Sequence, residues 1–415
     1  GAFPALGAYK IDNLLVDGYD VVVNKPKTQS YRAPGQPQSA HAVETVIDEL
    51  AEKLGVDPME LRLKNAVQEG DMSPTGLPHS RFGCVEVEEA MKAHPHYNAP
   101  LQGPNQGRGV AVGYRMHGGG NGSSATINVN DNGTISLVTG SADLSVSRVS
   151  LAMQAAEALG IDTGDVTPSV TDTDSIGFTS GSFGSRITFD TGRATLKAAA
   201  LVVEQMKERA ALLWEVQPED VEFGDGVFGC NLNAGDRLTF KEMAREMAHT
   251  GGAITCSASD VQGGVGPQLA GNIVDVEVDP DTGKVEILRY TTFMDVGQVV
   301  HRSNVEGQMQ GGVLQGAGWA LNEEYYYTEE GAMANSSLLD YRMPTAPDLP
   351  MIDTVIIEIP NPRHPFGIRG VGESPIIPPL AAITNAIYDA TGVRLTKLPM
   401  SPSSIIKALG DKNPQ

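Results

Sequence analysis

Residues 272–297 read NIVDVEVDPDTGKVEILRYTTFMDVG. Apolar and polar residues alternate on both sides of Asp281-Thr282-Gly283, which predicts two antiparallel strands joined by a tight turn. Helical spacing follows from about Asn304 to Leu321. The same order occurs earlier in the chain. ATINVNDNGTISLVTG (125–140) alternates around Asn132-Gly133, and VSLAMQAAEALG (149–160) then has the three- and four-residue apolar spacing of a helix closed by Gly160. A longer helix is predicted over 193–215. Two hairpin–loop–helix passages point to a weak internal repeat of one α+β unit, with chance recurrence as the alternative.

The part before residue 108 has a different texture. Residues 1–35 mix strand and loop, with a polar hinge in NKPKTQSYRAPGQPQ (24–38). Ala40, Val43, Ile47, Leu50 and Leu54 share one helical face, and Gly55 ends that helix. Asp57-Pro58-Met59-Glu60 starts another: a capping acid, a proline in the first turn, and a second acid three positions after the cap. A short helix with Val87, Ala90 and Met91 follows a polar stretch, and HPHYNAPLQGPNQG (94–107) reads as a linker.

Composition excludes several classes. With 47 glycines and 26 prolines in 415 residues, turns and backbone-lined loops dominate over long bundles. The net charge is -21 with no clustered basic stripe, which argues against a nucleic-acid partner and reads as solubility. No apolar run approaches the ~20 residues of a membrane span. Cys84, Cys230 and Cys256 are far apart and lack a CxxC pair, so an iron–sulfur cluster or structural zinc in this chain is not expected. Sparse cysteine suits a reducing compartment, the cytoplasm. No phosphate-binding GxxxxGK[ST], GxSxG elbow or HExxH is present. His41, His94, His96 and His364 read as structural or loop residues.

Four segments rich in glycine, hydroxyl or amide groups remain: MHGGGN (116–121), TGSADLSVSR (139–148), TSGSFGSR (179–186) and QMQGGVLQG (308–316). Backbone N–H groups exposed before a helix favour an anion. Singly each is a plain turn; together they suggest an extended polar ligand. IRGVGESPIIPPL (368–380) sets Glu373 between Gly370, Gly372 and a proline-rich apolar run. The glycines would admit a large ligand, and burial would raise the carboxylate toward a usable base. The rival reading is a helix-start or salt-bridged acid, partnered by Arg369.

Four stretches, in order, resemble the molybdenum hydroxylases, the xanthine oxidase/aldehyde oxidase family: residues 31–71 (YRAPGQPQ through AVQEGD), TSGSFGSR, VEGQMQGGVLQGAGWALNEE (305–324) and GVGESP (370–375). The resemblance covers nearly the whole chain and implies an α+β fold of mixed-sheet molybdopterin-binding domains with packed helices. Residues 1–100 would be the C-terminal part of a first such domain plus linker. Residues 101–415 would be the second, in subdomains of about 105–265 and 266–415.

By the same resemblance Glu373 is the catalytic base, and Arg32, Ala33 and Pro34 line the substrate pocket. Gly181, Ser182, Phe183, Gly184, Ser185, Gln315, Ser145, Ser147 and Gly372 would contact a molybdopterin, in its cytosine dinucleotide form, whose dithiolene holds the molybdenum. Implied partners are a second molybdopterin subunit carrying the N-terminal half, a 2Fe-2S subunit and an FAD subunit, assembled as a dimer of heteromers around a small-molecule substrate. The chain would be a split subunit or fragment, inactive alone. Ala33-Pro34 replaces the aromatic that stacks purines in some members, the cysteine of carbon monoxide-oxidising members is missing there, Leu144–Ser147 replaces a Gly-Gln-Gly turn, and Ser374 stands where proline is common. Leu144–Ser147 and Ala33-Pro34 keep one rival open, a non-catalytic scaffold that binds only partner subunits, and the Gly/Ser loops alone keep another, a nucleotide-binding module without redox chemistry.

Overall fold

The computed structural model describes residues 1–116, 120–261 and 264–412. His117, Gly118 and Gly119 of the MHGGGN segment lie outside the described residues. Among the described residues the strands are β1 (Gln106–Arg115), β2 (Ser123–Val129), β3 (Ile135–Thr139), β4 (Val166–Val170), β5 (Val221–Gly224), β6 (Val227–Cys230), β7 (Arg237–Thr239), β8 (Ile254–Asp260), β9 (Gln268–Val278), β10 (Val285–Asp295) and β11 (Ile352–Ile357). The helices are α1 (Gln36–Leu54), α2 (Pro58–Asn65), α3 (Cys84–Ala93), α4 (Pro95–Asn98), α5 (Ser147–Leu159), α6 (Gly192–Trp214), α7 (Phe240–Arg245), α8 (Met247–Thr250), α9 (Arg302–Leu321), α10 (Pro379–Thr391) and α11 (Pro402–Lys412).

The predicted hairpin is β9–β10, turning at Gly283 with φ 71. It forms the centre of a four-stranded sheet ordered β1-β9-β10-β11. The β2–β3 hairpin turns at Gly133 with φ 81 and forms the centre of a second, ordered β4-β3-β2-β8. The two sheets have one topology. Each hairpin sends a helix across to a parallel strand: α5 leads to β4 beside β3, and α9 leads to β11 beside β10. A second helix, α6 or α10, covers the hairpin, and an antiparallel strand, β8 or β1, closes the other edge. The fold is thus α+β, with the hairpin–helix unit present twice. The units interlock, because β1, expected with the 105–265 unit, pairs along its whole length with β9.

Packing explains where sequence periodicity misleads. β9 alternates in sequence, yet nearly all of it is buried: α9 and α10 cover one face and α3 the other. Leu50 and Leu54, assigned to the inner face of α1, are exposed, whereas Glu44 and Thr45 are buried. Glu44 is drawn inward by charge. Its Oε2 accepts from Arg62 Nε at 2.9 Å and from the Val112 N–H of edge strand β1 at 2.8 Å. Buried side chains thereby satisfy an edge that would otherwise recruit another strand. The Asp57 cap accepts from the N–H groups of Met59 and Glu60, as expected. The 94–107 linker is corrected: His96 is buried with Nδ1 2.8 Å from Thr291 Oγ1, and β1 begins at Gln106.

Candidate active site

Side chains alternate across a strand, so Gly107, Gly109, Ala111, Gly113 and Arg115 share one face of β1. Helix α10 lies directly on that face. A Cβ at Gly107 would overlap the Ala386 carbonyl oxygen, one at Gly109 would overlap that of Ala382, and one at Gly113 would come within 2.7 Å of the Ile377 side chain. The close approach runs α10 antiparallel to β1 and brings the chain just before the helix to the end of the strand. Glu373 lies there, immediately before the single turn Ser374–Ile376. Arg115, the one large side chain on this face, donates through Nη2 to Glu373 Oε2. Only 3% of the Arg115 side chain and 15% of the Glu373 side chain are exposed.

Two other segments converge on the same residue. Ala33 N–H donates to Glu373 Oε1 at 3.2 Å, and Glu373 N–H donates to Ser185 Oγ at 2.9 Å. Ala33 is fully buried at φ 54, a left-handed conformation that costs a non-glycine residue about 1–2 kcal/mol. Its neighbour Arg32 secures the turn. Arg32 donates through Nε to the Gly372 carbonyl, through Nη1 to Gln315 Oε1 at 3.0 Å, and through Nη2 to the Gln308 carbonyl and Oε1 at 3.0 and 3.2 Å. Burial pushes the Arg32 guanidinium down to about 10. Burial and then the Arg32 charge push Arg115 down to about 9. Both remain cationic at neutral pH.

Two expectations change. Gly370 makes room for the protein itself, since a Cβ there would overlap the Ser185 carbonyl; at Gly372 a Cβ would make an ordinary 3.4 Å contact with Ser185 Oγ. Arg369 is not the partner of Glu373. It pairs with buried Asp295 at 3.0 Å and donates to the Pro267 and Arg81 carbonyls. Ser374, where relatives often have proline, is fully buried and donates to Gln268 Oε1, a bond that proline could not make.

The 179–186 and 139–148 segments meet where Ser182 Oγ donates to the Ala142 carbonyl at 2.7 Å. Arg186 holds the first from beneath through the Ser180 and Gly122 carbonyls, Ser123 Oγ and Asp190. Gly181 and Phe183 stay exposed, and Gly184 turns the loop at φ 66. In the second segment the Ser147 hydroxyl donates to Asp143, while Leu144 and Ser145 are exposed. Pro34 is exposed beside the Arg32 turn. The structure therefore gathers Arg32, Ala33, Ser185, Gln315, Gly372 and Glu373 into one cluster, and sets Ser145 on the adjoining loop and Ser147 at the start of α5. Arg115 and Gln308 belong to the cluster but were not singled out from the sequence. The run of small residues at alternate positions, broken by Arg115, was the available signal.

The donor set consists of backbone amides on small-residue loops, hydroxyls, carboxamides and two guanidiniums. That chemistry suits a large anionic organic ligand such as a pterin bearing a phosphate. The comparisons agree. The molybdopterin cofactor-binding domain model matches residues 86–350, and a second molybdopterin cofactor-binding domain model matches residues 1–66. The xanthine dehydrogenase molybdenum-binding subunit of Escherichia coli O157:H7 is 32% identical over 407 residues, 92% of this chain and 53% of that protein. The aldehyde oxidoreductase of Megalodesulfovibrio gigas is 30% identical over 422 residues, 97% of this chain and 44% of that protein. The crystal structure of quinoline 2-oxidoreductase from Pseudomonas putida 86 superposes with a TM-score of 0.84 at 26% identity, covering 92% of this chain and 53% of that one. The chain spans about half the length of the relatives it matches. By both domain matches and by its likeness to these relatives, the chain belongs to the molybdenum hydroxylase family.

Proposed function

We propose that this chain forms the base-carrying part of a molybdopterin-binding subunit that hydroxylates a carbon of an aldehyde or N-heterocycle. The overall change takes R–H and water to R–OH, two electrons and two protons. The bound molybdenum–pterin group, taken here as the cytosine dinucleotide form, supplies the redox chemistry. Gly181–Ser185, Gln315 and the exposed Ser145 side of the neighbouring loop would hold the pterin, and Glu373 would accept the proton from the water-derived oxygen. Ala33 orients that carboxylate, Ser185 holds the Glu373 backbone, and Arg32 fixes the turn that carries Ala33. The convergence of three distant segments, at Ala33, Arg115 and Ser185, on one largely buried acid carries the reading. The relatives' names, which span aldehydes and a quinoline, support the substrate class.

The assembly we propose includes the other half of the molybdopterin-binding region, a 2Fe-2S protein and an FAD protein, working in the cytoplasm as a dimer of heteromers. Among the described residues no helix is long and apolar enough to cross a membrane. The expected outcome is near-stoichiometric molybdenum and releasable pterin in the purified complex. Glu373→Gln should retain both yet lower turnover by about 10²–10⁴-fold, the range for loss of a general base. Absence of molybdenum, or near-normal turnover of the variant, would refute the reading. The ion pair of Glu373 with Arg115 favours a second reading, a scaffold that keeps the fold and binds partners only; cofactor content without turnover on any aldehyde or N-heterocycle would select it.

A further inference from the structure

We infer that Arg115 recognises an acidic group on the substrate, a carboxylate carried by the aldehyde or N-heterocycle, and that this exchange releases Glu373 for proton transfer. The inference rests on the reading of Glu373 as the base and narrows its substrate class.

Three observations carry it. First, both oxygens of Glu373 are engaged, Oε1 by the Ala33 N–H and Oε2 by the Arg115 guanidinium. A carboxylate held by a guanidinium in a largely dry site is a weak proton acceptor, because protonation would break a charge-assisted bond. Second, the site carries more positive charge than this acid balances. Arg32, partly buried, has only neutral hydrogen-bond partners among the described residues: the carbonyls of Gly372 and Gln308 and the side-chain oxygens of Gln308 and Gln315. Among the described residues the two guanidiniums thus have one carboxylate between them, and a second anion would restore the balance. Third, Arg115 is placed by the fold. Small residues at 107, 109, 111 and 113 seat α10, and only at 115 does the face admit a long side chain, directly at the proposed base. A group bonded to the base lies within one small substrate of the reacting carbon. A guanidinium presents paired N–H donors that match the two oxygens of a carboxylate. Arg115 also donates to Gln36 Oε1 at 3.3 Å, so the guanidinium keeps a neutral partner when its carboxylate changes.

The test compares matched substrates in the purified complex: benzaldehyde against 4-formylbenzoate, with equilibrium binding of benzoate measured by calorimetry as a readout independent of turnover. Wild type should favour the carboxylated aldehyde in kcat/KM by about a hundredfold. In Arg115→Met the preference should collapse toward unity, chiefly through KM for 4-formylbenzoate. Benzoate should bind the variant at least tenfold more weakly, and Arg115→Lys should recover part of both effects. An unchanged preference in Arg115→Met, or equal benzoate binding by wild type and variant, overturns the inference. If neither an aldehyde nor an N-heterocycle turns over in wild type, the proposed function fails, and the benzoate measurement still decides whether Arg115 binds a carboxylate. Should Arg115→Met fail to fold, Arg115→Gln and Arg115→Lys provide the same comparison.

Discussion

Glu88 offers a test of how this interior handles charge. It lies on α3 with no exposed surface, and neither carboxylate oxygen has a hydrogen-bond partner among the described residues. The nearby Glu44 takes the available donors: Arg62, the Val112 N–H and the Tyr9 hydroxyl. One buried guanidinium thus faces two acids and satisfies one of them. Burial first, then the Glu44 charge, push the Glu88 carboxyl up to about 8 from 4.5, against the opposing pull of Arg62. The sign follows directly. Between pH 4.5 and 8 the folded protein holds a proton that the unfolded chain has released, so stability falls as pH rises through this window and levels off above it. At ~1.4 kcal/mol per pKa unit the whole loss is roughly 4–5 kcal/mol. Glu88→Gln keeps the shape and removes the titration. Urea unfolding of wild type and variant at about pH 5.5, 7 and 8.5 isolates this group, since the other titrating residues are common to both. The stability difference should move toward the variant by roughly 3–4 kcal/mol across that range. A difference that stays constant with pH would refute the assignment of a neutral buried acid at this position.

Gly109→Ala should destabilise by about 1–3 kcal/mol in urea unfolding, because the new methyl meets the α10 backbone and must push the helix off β1. Gly224→Ala, where a Cβ meets nothing within 4 Å, should change the midpoint little. Arg369→Met should cost about 3–5 kcal/mol by leaving Asp295 charged and fully enclosed, and Asp295→Asn in the same background should restore part of the loss. Recovery absent from that double variant would show that Arg369 acts through its bonds to the Pro267 and Arg81 carbonyls instead.

Signals contained within a few residues were legible in the sequence. Asp57 caps α2, Gly55 and Gly160 end α1 and α5 in left-handed conformations, and the hairpins turn at Gly133 and Gly283. Each is settled by backbone sterics and short-range hydrogen bonds, so the neighbouring residues suffice. The α+β class and the doubled hairpin–helix unit follow from stringing such signals together. Glu373 stood out for the same reason: its glycines and prolines are adjacent to it.

What surrounds Glu373 was decided only by the tertiary structure. Arg115 is 258 positions away in sequence, Ala33 340 and Ser185 188. Arg369, near in sequence and the natural candidate for an ion pair, turns instead to Asp295. Glu44 shows the same limit, being buried against the periodicity of its helix because an arginine and an edge-strand N–H wait inside. A charged group is placed by whichever partners the register of strands and the seating of helices bring within 3 Å, and no local pattern carries that information. The sequence by itself determined that an acid and a set of small-residue loops exist, and it pointed to an α+β unit used twice without deciding against chance recurrence. Packing of α10 on the bare face of β1 decided which cation meets the acid.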